Sequence, residues 1–178
     1  MKIKNTKFKN LIVIKHKRNV DRRGSLRETY IRKKIHWDNF LLEYATTSKK
    51  NVLRGLHFQY KNQQAKLVTV LKGKILDVVV DLRKNSKTFG RYYSIILSEK
   101  NCTSLYIPRG FAHGYYSYEK LNIIYYKLSD YYKPHYESGI IWDDRKLKIK
   151  WPSKKPILSK KDKEFGSLDN FSQNFKGL

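Results

Sequence analysis

Short runs of strand-favouring residues follow one another along the chain: LIVIKH, LVTVL, ILDVVVDLR, YYSIIL, SLYI and IIYYKL, with turn residues between them and no amphipathic helical stretch intervening. Parallel strands need a crossover of a dozen or more residues, usually a helix, so strands spaced this closely pair antiparallel. The pattern predicts an all-β fold, an antiparallel sandwich or barrel. Asn85-Ser86, Phe89-Gly90 and Pro108-Arg109-Gly110 mark turns. Lys72-Gly73-Lys74, between the second and third runs, predicts a β-hairpin. A chain of 178 residues, 40% hydrophobic and 14% aromatic, can bury one core, and no repeat or low-complexity linker divides it. Residues 1–178 therefore read as a single domain. Its polar tail after Trp151 suits either a short helix or a packed loop.

Side chains alternate across a strand, so parity assigns faces. In ILDVVVDLR, Asp77, Val79 and Asp81 share one face, and Leu76, Val78, Val80 and Leu82 the other. Carboxylates in so apolar a strand need partners, because burying an unpaired charge is costly. In NIIYYKL, Ile124, Tyr126 and Leu128 alternate with Ile123, Tyr125 and Lys127. In LRGLHFQ, His57 and Gln59 face away from Leu56 and Phe58. Arg54 has the other parity and joins His57 only if Gly55 allows a bulge, a known use of glycine in strands.

The chain carries 39 Lys+Arg against 15 Asp+Glu, a net charge of +24. Such an excess attracts polyanions. The lysines, however, are scattered through every segment and form no basic arm or helix face, so the charge reads as compositional bias, with an anionic small ligand as a second contributor. No nucleic-acid partner is expected. The lone Cys102 excludes an internal disulfide and a CxxC zinc pair, and suits a reducing cytoplasm. The apolar run LIVI near the N-terminus is too short for a signal sequence or membrane span, so no membrane association is expected.

Of five histidines, His57 and His113 stand in strand-like apolar surroundings, whereas His16, His36 and His135 lie among charged or turn residues. A lone histidine on a core strand is more often structural than catalytic. Two of them, joined on strands by Lys66, Asp77 and Tyr126, shift the balance towards a barrel equipped for proton transfer next to a carbonyl. There is no HxH or HExxH pair for a metal, and no GxSxG, GxxxxGK[ST] or GxGxxG motif for a serine hydrolase, P-loop or dinucleotide site.

From Asp21 to Asp162 the ordered segments DRRGSLRE, VLRGLHFQ, QAKLVTVLKGKILDVVVDLR, SKTFG, IPRGFAHGY, YYKLSDYY, GIIWDD and WPSKKPILSKKD resemble the dTDP-4-dehydrorhamnose 3,5-epimerase family of deoxysugar nucleotide synthesis. The resemblance implies a cupin-like antiparallel jelly-roll barrel with short peripheral helices, cytoplasmic, and using no cofactor or metal. It implies inversion of C3, C5 or both in a nucleotide-linked, most simply dTDP-linked, 4-keto-6-deoxyhexose. His57 would be the base, Asp162 its orienting partner, and Tyr126 the acid on the opposite face. Lys66 and His113 would lie near the ketone oxygen, with Asp77 behind His113. Arg23, Glu28, Arg54, Gln59, Tyr131, Glu137 and Lys161 match positions that contact the sugar nucleotide. Such sites are completed across a homodimer, so an N-terminal segment carrying Arg23 and Glu28 would serve the neighbouring subunit.

The chemistry agrees with those roles. A proton beside a ketone is weakly acidic, so its removal needs a base that works near neutral pH and a stabiliser for the enolate oxygen. Inversion then needs a donor on the other face. The chain departs from the family pattern at Leu42-Glu43-Tyr44, where a Q-x-N segment is usual, and at Leu26, where phenylalanine is usual. The nucleotide base and the sugar therefore stay open, as do a single-carbon epimerase, a ketoisomerase and a non-catalytic basic barrel.

Overall fold

The β-branched and aromatic runs form strands because their side chains fit a pleated, half-buried surface. A computed structural model describes all residues 1–178. In chain order its strands are β1 (Lys2–Asn5), β2 (Ile12–Lys15), β3 (Arg18–Asp21), β4 (Gly24–Arg27), β5 (Leu42–Ser48), β6 (Leu53–Gln59) and β7 (Lys66–Lys72). They continue as β8 (Lys74–Asp81), β9 (Tyr92–Ser98), β10 (Thr103–Ile107), β11 (Phe111–Ser117), β12 (Asn122–Leu128) and β13 (Glu137–Gly139), followed by helices α1 (Lys160–Glu164) and α2 (Leu168–Phe175). All six runs read from the sequence fall on strands.

A six-stranded antiparallel sheet, ordered β1-β2-β10-β7-β12-β5, faces a five-stranded one, ordered β13-β6-β11-β8-β9, and β3-β4 form a separate hairpin. Between the sheets lies a cluster that includes Val68, Val70, Ile75, Val79, Leu105, Ile107, Phe111, Tyr115, Ile124, Tyr126 and Leu128. The face assignments for β8 and β12 hold. Ile75 and Val79 enter this cluster, whereas Val78, Val80 and Leu82 enter a second cluster on the outer face of the five-stranded sheet. A third cluster places Ile35 against Ile12, Ile14, Leu67 and Tyr106.

Two expectations change, and the choice left open for the tail is decided. The Lys72-Gly73-Lys74 link is not a hairpin, because β7 and β8 lie in different sheets and both edges of β7 are already taken by β10 and β12. Gly73, at φ +85°, turns a corner around Asn122, whose Oδ1 accepts the Lys74 amide at 3.0 Å; a Cβ on Gly73 would come within 2.5 Å of that oxygen. The tail, for all its polar residues, carries α2, which buries Leu168 and Phe171 in the second cluster, where Phe171 meets Phe58 edge-on at 5.2 Å. His16, grouped with charged residues by sequence, is buried, with Nε2 2.8 Å from Ser104 Oγ. Burial pushes its pKa down.

Candidate active site

Gly55 makes the site possible. At φ +124° it sits in β6 where a Cβ would lie 2.5 Å from Gly114 Cα, so both strands need glycine at this contact. Pairing shifts here: His113 lies opposite His57, whereas Tyr115 lies opposite Arg54, leaving one extra residue on β6. This is the bulge that brings Arg54 towards the opposing sheet, where its Nε donates to Ser48 Oγ at 3.1 Å.

His57 Nε2 lies 2.6 Å from Asp162 Oδ1. With that nitrogen donating, the lone pair stands at Nδ1, 4.0 Å from Glu137 Oε1. Asp162 is placed by a capping box at the start of α1: Ser159 Oγ accepts the Asp162 amide, and the Ser159 amide and hydroxyl both donate to Asp162 Oδ2. Burial alone would raise the Asp162 carboxyl, but hydrogen bonds from His57, Ser159 and the Gly55 amide outweigh it and hold the group below the usual carboxylate range. Glu137 is likewise held low against its burial by the Lys161 ammonium and the Tyr132 hydroxyl, both hydrogen-bonded to it, and by His57.

A second set lines the space between the sheets. His113 Nε2 lies 2.9 Å from Asp77 Oδ2, while Asp77 Oδ1 is buried without a protein partner. The His113 ring meets Tyr126 edge-on at 6.0 Å, and Tyr44 packs on Tyr126 at 4.9 Å. Burial, with Tyr115, Tyr44 and Asp77 nearby, pushes the Tyr126 phenol well above its ordinary pKa, and Arg54 opposes this. Burial brings Lys66 down to about 8, partly offset by Glu137 and Asp77. Lys66 thus stands electrostatically between the His57 and His113 groups. A cavity of about 250 Å³, lined by Tyr44, Gln64, Leu128 and Tyr132, opens beside them. Larger clefts, of about 470 Å³ near Trp37 and 730 Å³ near Lys72, hold no comparable set of paired acids and bases.

The structure thus gathers His57, Asp162, Glu137 and Lys161 in one group, and Tyr126, His113 and Asp77 in another, with Lys66 and Arg54 between. Gln59 is buried, and its amide ties the loop after β6 to the loop after β12: Nε2 donates to the carbonyls of Asn62 at 2.8 Å and Tyr131 at 3.4 Å, and Oε1 accepts the Lys133 amide at 2.8 Å. The exposed Tyr131 contributes backbone to this network; its neighbour Tyr132 is the one whose hydroxyl reaches Glu137. Arg23 and Glu28 are not brought in. Both are exposed on or beside the β3-β4 hairpin, and Arg23 pairs with Asp21 at 2.7 Å. Sequence reasoning missed Tyr44, Tyr115 and Tyr132, although the even-numbered polar positions Tyr44, Thr46 and Ser48 of LEYATTS share a parity that marks one strand face. No group of three or more His, Cys, Asp and Glu side chains comes together as a metal site would require.

A two-sheet antiparallel jelly roll whose interior holds paired acids and bases is a cupin-type barrel of the acid-base kind. The sequence model of the dTDP-4-dehydrorhamnose 3,5-epimerases matches residues 5–170. The dTDP-4-dehydrorhamnose 3,5-epimerase of Methanothermobacter thermautotrophicus is 40% identical over 171 residues, 92% of each chain. That of Salmonella typhimurium is 40% identical over 174 residues, covering 92% of this chain and 93% of its own. The crystal structure of the Legionella pneumophila 3,5-epimerase in complex with dTDP-4-keto-L-rhamnose matches with a TM-score of 0.91 at 39% identity, over 94% of this chain and 93% of that one. The chain belongs to the dTDP-4-dehydrorhamnose 3,5-epimerase family.

Proposed function

We propose that the protein is a dTDP-4-dehydrorhamnose 3,5-epimerase, an isomerase of deoxysugar synthesis that inverts carbons flanking the C4 ketone of a dTDP-linked 6-deoxyhexose. The observation that carries the assignment of roles is the 2.6 Å contact of His57 Nε2 with Asp162, which leaves Nδ1 as the basic nitrogen. His57 Nδ1 takes the proton next to the ketone. The negative charge moves to O4, where the Lys66 ammonium and His113, oriented by Asp77, stabilise it as an oxyanion hole does. Tyr126 returns a proton from the opposite face. Its hydroxyl makes no hydrogen bond within the chain, so its proton is uncommitted, and burial keeps it protonated until the carbanion forms.

The sugar nucleotide is bound by Arg54, Lys161 and Glu137 around the cavity, with Gln59 holding the loop that presents Tyr131. The chain works as one domain in a homodimer, its exposed N-terminal hairpin carrying Arg23 and Glu28 to the neighbouring subunit. The low cysteine content agrees with a cytoplasmic location, and no helix is long and apolar enough to cross a membrane. The test is incubation with dTDP-4-keto-6-deoxyglucose in D₂O, followed by NMR. Deuterium is expected at C3 and C5 with wild type and at neither with His57→Ala; exchange that persists in His57→Ala removes the base from this assignment.

A further inference from the structure

The enolate that His57 generates has two fates. If the imidazolium returns a proton on the face it left, the carbon regains its first configuration. If the proton comes from the Tyr126 O–H bond, whose electron pair stays on the phenol oxygen, the carbon is inverted. The share of each depends on how well the Tyr126 hydroxyl is aimed, because a displacement of about 1 Å from the productive geometry can cost on the order of 100-fold. That hydroxyl makes no hydrogen bond within the chain, so no polar partner holds it. Its aim is set by what packs on its ring.

Two rings do so. His113 meets Tyr126 edge-on at 6.0 Å and is itself held by Asp77 at 2.9 Å. Tyr44 lies over Tyr126, the ring centroids 4.9 Å apart and the planes 30° from parallel. The backbone builds this contact in. Tyr44 of β5 stands directly opposite Tyr126 of β12 in the antiparallel register, with Val68 of β7 opposite on the other side. Aromatic side chains so opposed attract one another beyond the area they bury. Tyr44 makes no hydrogen bond through its own hydroxyl, so what it offers Tyr126 is the ring. The two rings differ in surroundings: Tyr126 is 4% exposed, whereas Tyr44 is 39% exposed on an edge strand and lines the cavity with Gln64, Leu128 and Tyr132. Tyr44 thus touches the acid and the cavity at once. It also stands where the chain departs from the Q-x-N pattern, so the stacked pair is a property of this chain.

We propose that Tyr44 is a positioning residue for the acid: its ring, stacked on Tyr126, aims the Tyr126 hydroxyl at the enolate and so sets the share of the enolate that is inverted. His113 steadies one side of the phenol and Tyr44 the other. Without the Tyr44 ring, Tyr126 can tilt into the space vacated on the cavity side, and the imidazolium returns the proton before the phenol does. The removal of the proton by His57 is untouched. This rests on the reading of Tyr126 as the donor.

Tyr44→Ala removes the ring, and Tyr44→Leu, which keeps apolar bulk without stacking, carries the test if the alanine variant folds poorly. Tyr44→Phe keeps the ring and drops the hydroxyl. Each is compared with wild type and Tyr126→Phe on dTDP-4-keto-6-deoxyglucose in D₂O, quenched at successive times, with NMR counting deuterated sugar that is inverted and deuterated sugar that is not. The imidazolium exchanges with D₂O, so sugar reprotonated on the base's face is also labelled. In Tyr44→Ala and Tyr44→Leu, total deuterium uptake is expected near the wild-type rate while the inverted share falls by about 10-fold or more. Tyr44→Phe is expected to restore the wild-type share. A wild-type share in the alanine and leucine variants, with Tyr126→Phe unable to invert, overturns the role of Tyr44 and leaves the donor in place. So does an equal slowing of uptake and inversion, which marks Tyr44 as a wall of the pocket only. A Tyr44→Phe variant that behaves like Tyr44→Ala overturns the stacking, since the hydroxyl would then carry the effect. Inversion at the wild-type rate by Tyr126→Phe overturns the donor, and the role of Tyr44 with it.

Discussion

At the scale of the residue, the site trades stability for charge. Lys66 is held in surroundings that bring its pKa from 10.5 to about 8, so the folded protein bears the cost of keeping it protonated at neutral pH. The sign follows from proton binding. Between about pH 8 and 10.5 the unfolded chain keeps this proton and the folded one has lost it, so the deficit shrinks as the pH rises through that window. Lys66→Met is therefore expected to be the more stable protein below pH 8, by on the order of 1–3 kcal/mol, with the gain fading towards pH 10.5, as thermal melts across pH will show. The same variant is expected to lose turnover, and wild-type kcat to decline as the pH passes about 8, where Lys66 no longer offers a charge to the enolate. A wild-type rate that stays flat to pH 10 removes Lys66 from that role. For Tyr126→Phe, proton exchange is expected to continue at one carbon while net epimerisation is lost, because the base still works without its opposing donor. His57, His113, Asp77 and Tyr126 were legible from strand parity and apolar context. The pairing of His57 with Asp162 was not, since 105 positions separate them and only the family resemblance joined them.

At the scale of the element, the C-terminal tail shows what composition conceals. PSKKPILSKKDKEFGSLDNF reads as polar, yet two serines, Ser159 and Ser167, cap two helices, and the apolar side of α2 closes the outer face of the five-stranded sheet. The helices are short, so periodicity gave little signal, and the capping boxes at Ser159 and Ser167 were passed over. Strands with both faces buried, such as β8, read clearly because their hydrophobic run is nearly continuous. The Gly73 corner misled because a glycine between two strand runs looks the same whether the chain folds back on its neighbour or passes to the opposite sheet; only the occupied edges of β7 decide it. Ser159→Ala is expected to cost about 1 kcal/mol of stability as a lost N-cap. It is expected to lower kcat further than that loss implies, since the hydroxyl that also fixes Asp162 Oδ2 at 2.7 Å is gone. Phe171→Ala, in α2 and away from the substrate groups, is expected to cost about 3–5 kcal/mol in denaturant unfolding with kcat per folded molecule retained. A larger effect on kcat in Phe171→Ala than in Ser159→Ala would mean that α2, and not the cap, sets the histidine pair.

At the scale of the whole molecule, the groups gathered within one chain and those left outside it call for different experiments. His57, Asp162, Lys66 and Tyr126 converge inside the barrel, whereas Arg23 and Glu28 stand exposed on and beside a two-stranded hairpin that carries Val20 and Leu26 at 72% and 63% exposure. An isolated hairpin is marginal in water, and one that shows apolar side chains gains by covering them. In the proposed dimer, each subunit's hairpin completes its partner's cavity. Complementation tests this without a further structure. Arg23→Ala keeps its own His57 but offers the partner a defective hairpin; His57→Ala lacks the base but offers a sound one. Neither homodimer has a complete site. In a mixed dimer, the site that keeps His57 receives Arg23 from the other subunit and is whole. Random reassortment of equal amounts makes half the dimers mixed, each with one complete site of two, so activity of about a quarter of wild type is expected after unfolding and refolding the two together. Mixing without subunit exchange is expected to give only the sum of the parents. If refolding together adds nothing to that sum while size measurements show dimers, Arg23 serves its own chain, and the hairpin must swing inwards to reach the site it now stands away from.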